Sequence, residues 1–332
     1  MEACQPIVNT GLRGVTIAST KISDVDGAAG KLVYRGYLAK DLAGKITFEE
    51  LIHLLLFEKL PDRQELRALT AELVKERSIP VAMIDAFKQT PRDALPMDVL
   101  QAATAMLANY DADAKLHARE AASRIAIKLI AKFPTLVAAW DRVRNGHAPL
   151  DPDPQLSHAA NFLYMLNGRV PDEDIAGFFD TCLVLHAEHS FNASTFAARE
   201  VASTKAHMYA AVGAGIGSLS GALHGGANTR VMQMLLEIGS VDNVEAYVNN
   251  LLETGGVIMG LGHAVYQTDD PRAHILAPMS KILGERAGDT RWYDLSQKLE
   301  VVGKAAFKNK KGREIYVNVD FYSASLYYYM GI

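Results

Sequence analysis

The sequence between residues 186 and 325 contains four segments that decide how the chain is interpreted. They read HAEHSFNASTF (186–196), LHGGAN (223–228), GLGHAVYQTDDPR (260–272) and NVDFYSAS (318–325). Among their side chains is a set of three histidines, one arginine and one carboxylate, each near Gly, Asn or Ser: His189, His224, His263, Arg272 and Asp320. Such a set suits an enzyme that moves a carbon-bound proton and holds an anionic substrate.

The overall composition fits an ordinary globular protein that acts on a small molecule. The chain has 332 residues, 49% of them hydrophobic and 22% charged, which is enough for a large buried core. A formal net charge of -4 gives no overall basic field. Nucleic acid and anionic membranes are therefore not expected as main partners.

Cysteine usage and the N-terminus predict a cytoplasmic protein. Cys4 and Cys182 are the two cysteines of the sequence, too few for a disulfide framework, so we expect a reducing compartment. The opening MEACQPIVNT does not have the pattern of a signal peptide. No uninterrupted run of 18 apolar residues occurs, which argues against a membrane span.

Local patterns predict a mostly α-helical fold with a small N-terminal β ribbon within residues 1–36. Turn residues at Asp26-Gly27 and Gly30 separate the strand candidates. These candidates are GVTIAST (14–20), KISDV (21–25) and KLVYRG (31–36).

Two capping boxes predict the starts of the first long helices, Thr47 with Glu50 and Asp62 with Glu65. Helical periodicity then continues, with Pro or Gly at most of the joints. The periodic stretches are MDVLQAATAMLANY (97–110), AREAASRIAIKLIAKF (118–133), TLVAAWDRV (135–143), HAANFLYML (158–166) and DEDIAGFFDTCLVLHAEH (172–189).

Each site candidate also has an ordinary structural interpretation when taken alone. His189 fits a polar helix end, His224 a turn beside two glycines, and His263 the edge of a polar loop. Arg272 has aspartates beside it with which it could simply pair. Asp320 could cap the last helix, the more common role for an aspartate at such a position.

Taken together, the segments resemble the citrate synthase family. The resemblance covers nearly the whole chain and includes GLRGVTIASTKISDVDGAAGKLVYRGYLAKDLA (11–43) and TFEELIHLLLFEKLP (47–61) as well as the four segments above. It implies an almost entirely helical fold with a large domain at 1–224 and a small domain at 225–332 that closes on substrate. The pair Gly225-Gly226 is the predicted hinge, although a tight turn alone would also explain it.

The resemblance also implies the reaction and the role of each residue. Asp320 would remove the α-proton of acetyl-CoA, while His224 would hydrogen-bond the thioester carbonyl. His263 would polarise the ketone of oxaloacetate, and His189 and Arg272 would bind the same substrate. The product would be citrate, as in the tricarboxylic acid cycle, without a metal or a cofactor other than the substrate coenzyme A.

Coenzyme A contacts and a dimer are further implications of the resemblance. Leu261, Gly262 and Lys311 are the candidate residues for coenzyme A, Lys311 as part of a basic run that is otherwise interpreted as a solvated face. A homodimer or a higher homo-oligomer is expected, with a dimer contact through a helix that carries Gly213, Gly217 and Gly221. The alternative for these glycines is packing within one subunit.

The sequence departs from the family after Asp320. Family members usually continue beyond the position of Ile332, return to the large domain and supply further arginines for the substrate. We expect that return to be absent from this sequence, which would leave the substrate short of cationic partners. Val317 also stands where the family commonly has proline.

Three alternatives remain open at this point. The first is a 2-methylcitrate synthase that uses propionyl-CoA, since one methylene changes the binding free energy by only about 1–3 kcal/mol. The second is a metalloenzyme with His189, His224, His263 and Asp320 as ligands, although no short ligand spacing is present. The third is a weakly active assembly protein derived from the family.

Overall fold

The computed structural model describes residues 18–222 and 224–332. This part of the chain contains fifteen α-helices, two short 3-10 helices and one small sheet. The strands are β1 (Ser23–Asp26), β2 (Lys31–Tyr34) and β3 (Tyr37–Leu38). The helices are α1 (Ala39–Leu42), α2 (Phe48–Phe57), α3 (Arg63–Glu76), α4 (Val81–Gln89), α5 (Pro96–Leu107), α6 (Arg119–Arg144), α7 (His158–Asn167), α8 (Glu173–His186), α9 (Ala193–Ser203), α10 (Met208–Leu219), α11 (Ala227–Ile238), α12 (Val244–Glu253), α13 (Ala273–Ala287), α14 (Arg291–Lys311) and α15 (Val319–Tyr329), with 3-10 turns at Ala108–Tyr110 and Val241–Asn243.

The sheet is an antiparallel ribbon with the strand order β1-β2-β3. Asp26 pairs with Lys31, and Val33 pairs with Leu38. The predicted strands at 21–25 and 31–36 are therefore confirmed, and β3 is an addition. Most of the predicted strand at 14–20 lies outside the described residues, and its last three residues are not in a strand.

Both predicted capping boxes are present. The Thr47 side chain accepts the N–H of Glu50 and the Glu50 carboxylate accepts the N–H of Thr47. Asp62 and Glu65 do the same at the start of α3. Each box satisfies donors that would otherwise have no partner at a helix N-terminus.

The long helix α6 differs from the sequence prediction, which treated 118–133 and 135–143 as separate helical stretches. Pro134 lies inside this helix. Proline removes one intrahelical hydrogen bond. Buried residues on both sides of it, Leu129 and Leu136, nevertheless pack into one core. Packing of a shared apolar face therefore outweighs the lost hydrogen bond.

The largest hydrophobic core contains residues from both sides of the predicted domain boundary at 224/225. Leu163 of α7 and Leu185 of α8 lie in the same cluster as Leu235 of α11, Leu295 of α14 and Phe321 of α15. The division into two domains stays a prediction. Among the described residues, no helix has both the length and the apolar character that crossing a bilayer requires.

The turn of the N-terminal ribbon packs directly against the loop that carries His263. The N–H of Gln267 donates to the carbonyl of Gly27 at 2.8 Å. A Cβ atom added at Gly27 would lie 2.2 Å from the carbonyl oxygen of Val265. Only glycine therefore fits at this contact, and the ribbon helps to fix the loop.

We expect Gly27→Ala to lower the free energy of unfolding by about 1–3 kcal/mol, the usual cost of overpacking. The matched control is Gly177→Ala in α8, where an added Cβ has no heavy atom within 4 Å. This control should raise stability by about 0.5–1 kcal/mol, because alanine favours helix. Urea unfolding measures both. Equal stability of Gly27→Ala and the unchanged protein would show that the ribbon and the loop are not in contact.

Candidate active site

Two segments that are far apart in the sequence, 260–272 and 316–320, are joined into one unit. The N–H of Gly262 donates to the carbonyl of Tyr316 at 2.7 Å. The side-chain amide of Asn318 donates to the carbonyl of Gly262 at 3.0 Å. Because of these bonds, the loop that carries His263 and the start of the helix that carries Asp320 hold a fixed relative position.

His263 is held in one tautomer by its own loop. Its Nδ1 atom accepts the backbone N–H groups of Val265 and Tyr266, each at 3.0 Å. With Nδ1 acting as acceptor, the ring proton lies on Nε2, which is left to donate. Burial lowers the pKa of His263, so the ring is neutral at physiological pH.

His189 lies beside His263, with 5.4 Å between the ring centroids. Its Nε2 atom lies 3.2 Å from the hydroxyl of Tyr266. Burial, followed by the positive charge of Arg272, lowers the pKa of His189 to about 4. His189 is therefore also neutral, and it lies after the end of α8 as the sequence predicted.

Sequence reasoning missed the residues that hold His189 in place. Ser190, the next residue, has a φ of 58°, which is uncommon for a serine. Its N–H donates to the Ser23 hydroxyl at 3.0 Å and to the Glu188 carboxylate at 2.6 Å, and Ser23 donates to Glu188 at 2.8 Å. The ribbon thereby contributes to the site through a contact that no local pattern reveals.

Arg272 is buried and forms a bidentate ion pair with Asp270. Its Nε and Nη2 atoms lie 2.9 and 2.7 Å from the two carboxylate oxygens. The pairing interpretation of Arg272 is thus correct, but it leaves Nη1 with only a long contact of 3.5 Å to the carbonyl of Leu185. One edge of the guanidinium remains for a carboxylate ligand.

Asp320 lies in the first turn of α15 but is not its cap. The capping side chain is that of Asn318, which accepts the N–H of Asp320 at 3.0 Å. The capping interpretation of Asp320 is therefore wrong, and its carboxylate is free of that duty. Burial raises the pKa of Asp320. The N–H of Asp270 donates to the carbonyl of Val317 at 2.9 Å, which joins the partner of Arg272 to the segment just before Asp320.

His224 belongs to a neighbouring part of the structure. Its Nε2 atom accepts the backbone N–H of Ser194 at 3.2 Å and lies 3.0 Å from the Ser194 hydroxyl. The ring proton therefore lies on Nδ1, for which the described residues offer no hydrogen-bond partner. Burial lowers the pKa of His224, so this imidazole is also neutral.

Among the described residues, His224 forms no hydrogen bond or aromatic ring contact with the other four site residues. The link between them is indirect. The Asn228 amide, at the start of α11, donates to the hydroxyl of Ser323 at 2.6 Å. Ser323 follows Asp320 by almost one helical turn, and Asn228 follows His224 by four residues, so this bond brings the start of α11 close to the start of α15.

The candidate coenzyme A residues differ in their exposure to solvent. Leu261 is buried and forms an isolated β-bridge with Val317. Gly262 has a φ of 97°, a conformation that favours glycine. Lys311 is exposed at the end of α14. Their contact with coenzyme A stays a prediction, although Leu261 and Gly262 clearly also shape the loop.

The metal interpretation is not supported by the geometry of the described residues. There, one group has ligand atoms within 4.8 Å of one another, and it consists of Asp269, His274 and Glu300. It contains none of the four residues that the metalloenzyme alternative requires. The Lys304 ammonium already lies between the two carboxylates of this group.

A family model described as "Citrate synthase, C-terminal domain" matches residues 11–332. The chain belongs to the citrate synthase family. A citrate synthase from Haloferax volcanii is 44% identical over 328 residues, which are 97% of this chain and 85% of the relative. The resemblance and the enzyme class predicted from the sequence are thereby confirmed.

Two further members of the citrate synthase family are informative. A 2-methylcitrate synthase from Shewanella oneidensis is 37% identical over 335 residues, 100% of this chain and 86% of the relative. A solved structure of the Thermoplasma acidophilum citrate synthase, in a ternary complex with carboxymethyl coenzyme A and oxaloacetate, has a TM-score of 0.90 and 31% identity, covering 97% of this chain and 84% of that one. This match confirms the mostly helical fold.

Proposed function

We propose that the chain condenses acetyl-CoA with oxaloacetate and water to give citrate and coenzyme A. Three contacts in a member of the citrate synthase family support the proposal: His189 lies beside His263, Arg272 pairs with Asp270 of the same loop, and the N–H of Asp270 donates to the carbonyl of Val317, three residues before Asp320. A relative of the same fold was solved with oxaloacetate and a coenzyme A analogue bound.

Asp320 and His224 form the enol in this proposal. The ionised carboxylate of Asp320 takes a proton from the methyl group of acetyl-CoA, and the electron pair of that C–H bond moves toward the thioester oxygen. The Nδ1–H of His224 donates to that oxygen as negative charge develops on it. A positioned donor is required because a thioester α-proton is far too weakly acidic for a carboxylate alone.

His263, His189 and Arg272 prepare oxaloacetate. The Nε2–H of His263 donates to the ketone oxygen, which makes the ketone carbon electrophilic and stabilises the alkoxide as the new carbon–carbon bond forms. The free edge of Arg272 and the ring of His189 bind the carboxylates. Water then attacks the citryl thioester and releases citrate and the thiol of coenzyme A.

The close alternative is propionyl-CoA as the acyl donor, which would make 2-methylcitrate. The 2-methylcitrate synthase relative supports this alternative, but its identity to the chain, 37%, is lower than the 44% of the citrate synthase relative. We expect thiol release with oxaloacetate to be faster with acetyl-CoA than with propionyl-CoA, by about 10-fold or more if the pocket excludes one methylene. A preference for propionyl-CoA would reverse the assignment. No thiol release with either donor would reject the reaction itself.

We further propose that the chain acts as a cytoplasmic homodimer formed through α9 and α10. The support comes from Phe196 in α9 and Leu219 in α10, which are large apolar side chains exposed on this helix pair. Gly213 itself is buried in α10. Gly217 instead faces Gln101 of α5 within the subunit, and Gly221 lies beyond the end of α10. Sedimentation equilibrium tests this proposal, and a monomeric mass would reject it.

A further inference from the structure

Lys304 of α14 lies between two carboxylates from different parts of the chain. Its ammonium is 2.6 Å from Glu300, one turn earlier in the same helix, and 2.9 Å from Asp269 in the His263 loop. The side chains of Lys304 and Glu300 are 24% and 14% exposed, so water screens the contact only partly. One positive charge here holds two negative charges together.

Each of these carboxylates also contacts the segment that carries Asp320. Asp269 accepts the N–H of Val317 at 3.0 Å. Glu300 accepts the hydroxyl of Tyr322, which is fully buried. The two contacts lie three residues before and two residues after Asp320, so they hold its backbone on both sides.

We propose that Lys304 is a positioning residue that fixes Asp320 relative to the His263 loop, by joining Asp269 to Glu300. This inference rests on the proposed function. Without the ammonium, the two carboxylates repel each other, and this repulsion strains the bonds that Asp269 makes to Val317 and Glu300 makes to Tyr322.

The ammonium explains the acidic group better than a metal ion does. A metal would have to lie among Asp269, Glu300 and the neighbouring His274, whose Nε2 atom is 3.2 Å from Asp269. That space already holds the ammonium of Lys304, which hydrogen-bonds both carboxylates.

The test compares Lys304→Met with Lys304→Arg and with a control in the same helix. Methionine keeps the apolar stem and removes the charge, so we expect kcat for citrate formation to fall about 10-fold or more. KM for both substrates should change little. The unpaired carboxylates should lower the melting temperature, so kcat is measured at a temperature where every variant is folded. Arginine should restore most of kcat. Lys298→Met is the control and should leave kcat unchanged, because the one ion pair of Lys298 among the described residues is with the exposed Glu245.

A double variant separates positioning from general stability. If Lys304 acts through Asp269, the kcat losses of Lys304→Met and Asp269→Asn should not add in the double variant. Additive losses, an unchanged kcat in Lys304→Met, or a loss of kcat that merely follows a lower melting temperature would each overturn the proposal. An unsubstituted protein that forms no citrate would instead reject the proposed function.

Discussion

Replacing Asp320 by asparagine is expected to lower kcat for citrate formation at least about 100-fold, within the usual contribution of a general base. Asparagine keeps the shape of the side chain and cannot accept the α-proton. The helix start should survive, since the cap is Asn318. Thiol release from acetyl-CoA measures the effect. Asp98→Asn is the matched control, because Asp98 lies in the first turn of α5 and is exposed. Activity within about 10-fold of the unsubstituted protein would remove Asp320 from its role.

The raised pKa of Asp320 gives this prediction a pH dependence. The base must be ionised to act, so activity should fall as the pH drops through its folded-state pKa, which burial places above the ordinary value of 3.8. An acid limb at or below that ordinary value would contradict the buried site.

The raised pKa of Asp320 also predicts how this residue affects stability, separately from its effect on activity. A carboxyl whose folded pKa is raised favours folding below its unfolded pKa, and this contribution is lost as the pH rises through the folded pKa. At neutral pH the ionised Asp320 therefore disfavours the folded state. Asp320→Asn should melt no lower than the unsubstituted protein at pH 7, and a lower melting temperature would show that the carboxylate stabilises the fold.

The sequence singled out the candidate histidines and the candidate aspartate because they lie in short motifs with glycine and polar neighbours. Their partners were less accessible. Asn318 and Asp320 are both good capping residues two positions apart, and only the structure shows that Asn318 is the one that accepts a backbone N–H, that of Asp320, at the start of α15. Likewise, the sequence left open whether Arg272 pairs with an aspartate, and the structure shows that it does while keeping one edge free.

Long-range contacts account for most of what the sequence did not show. Ser23 and Glu188 are 165 residues apart, and their hydrogen bond depends on how the ribbon folds back onto the end of α8. The ion pair between Lys304 and Asp269 also depends on the tertiary fold. From the sequence alone, Lys304 is interpreted as a solvated lysine and Asp269 as a loop aspartate. Local propensity cannot predict such pairs, since their geometry is set by the packing of helices and loops around them.

Replacing His263 by asparagine is expected to lower kcat by about 100- to 1,000-fold, the usual effect of removing one donor to a developing oxyanion. The choice of asparagine follows from the two ring nitrogens. Its side-chain oxygen can take over from Nδ1 in accepting the N–H groups of Val265 and Tyr266, so the loop keeps its turn. The donor that corresponds to Nε2–H is lost.

The control and the pH profile decide whether the loss comes from that donor. His117→Asn is the control, since His117 is exposed in the loop before α6, and it should leave kcat unchanged. His263→Gln places an amide donor near the position of Nε2 while giving up the acceptor at Nδ1. It should therefore retain more activity than His263→Asn if the donor matters more than the turn.

The pH profile gives a second test. Burial lowers the pKa of His263, so the ring is neutral throughout pH 7–9. Replacing this neutral ring by asparagine should therefore reduce kcat by the same factor at every pH in that window. A loss confined to the acid side of that window would mean that the imidazolium, and not the neutral ring, polarises the ketone.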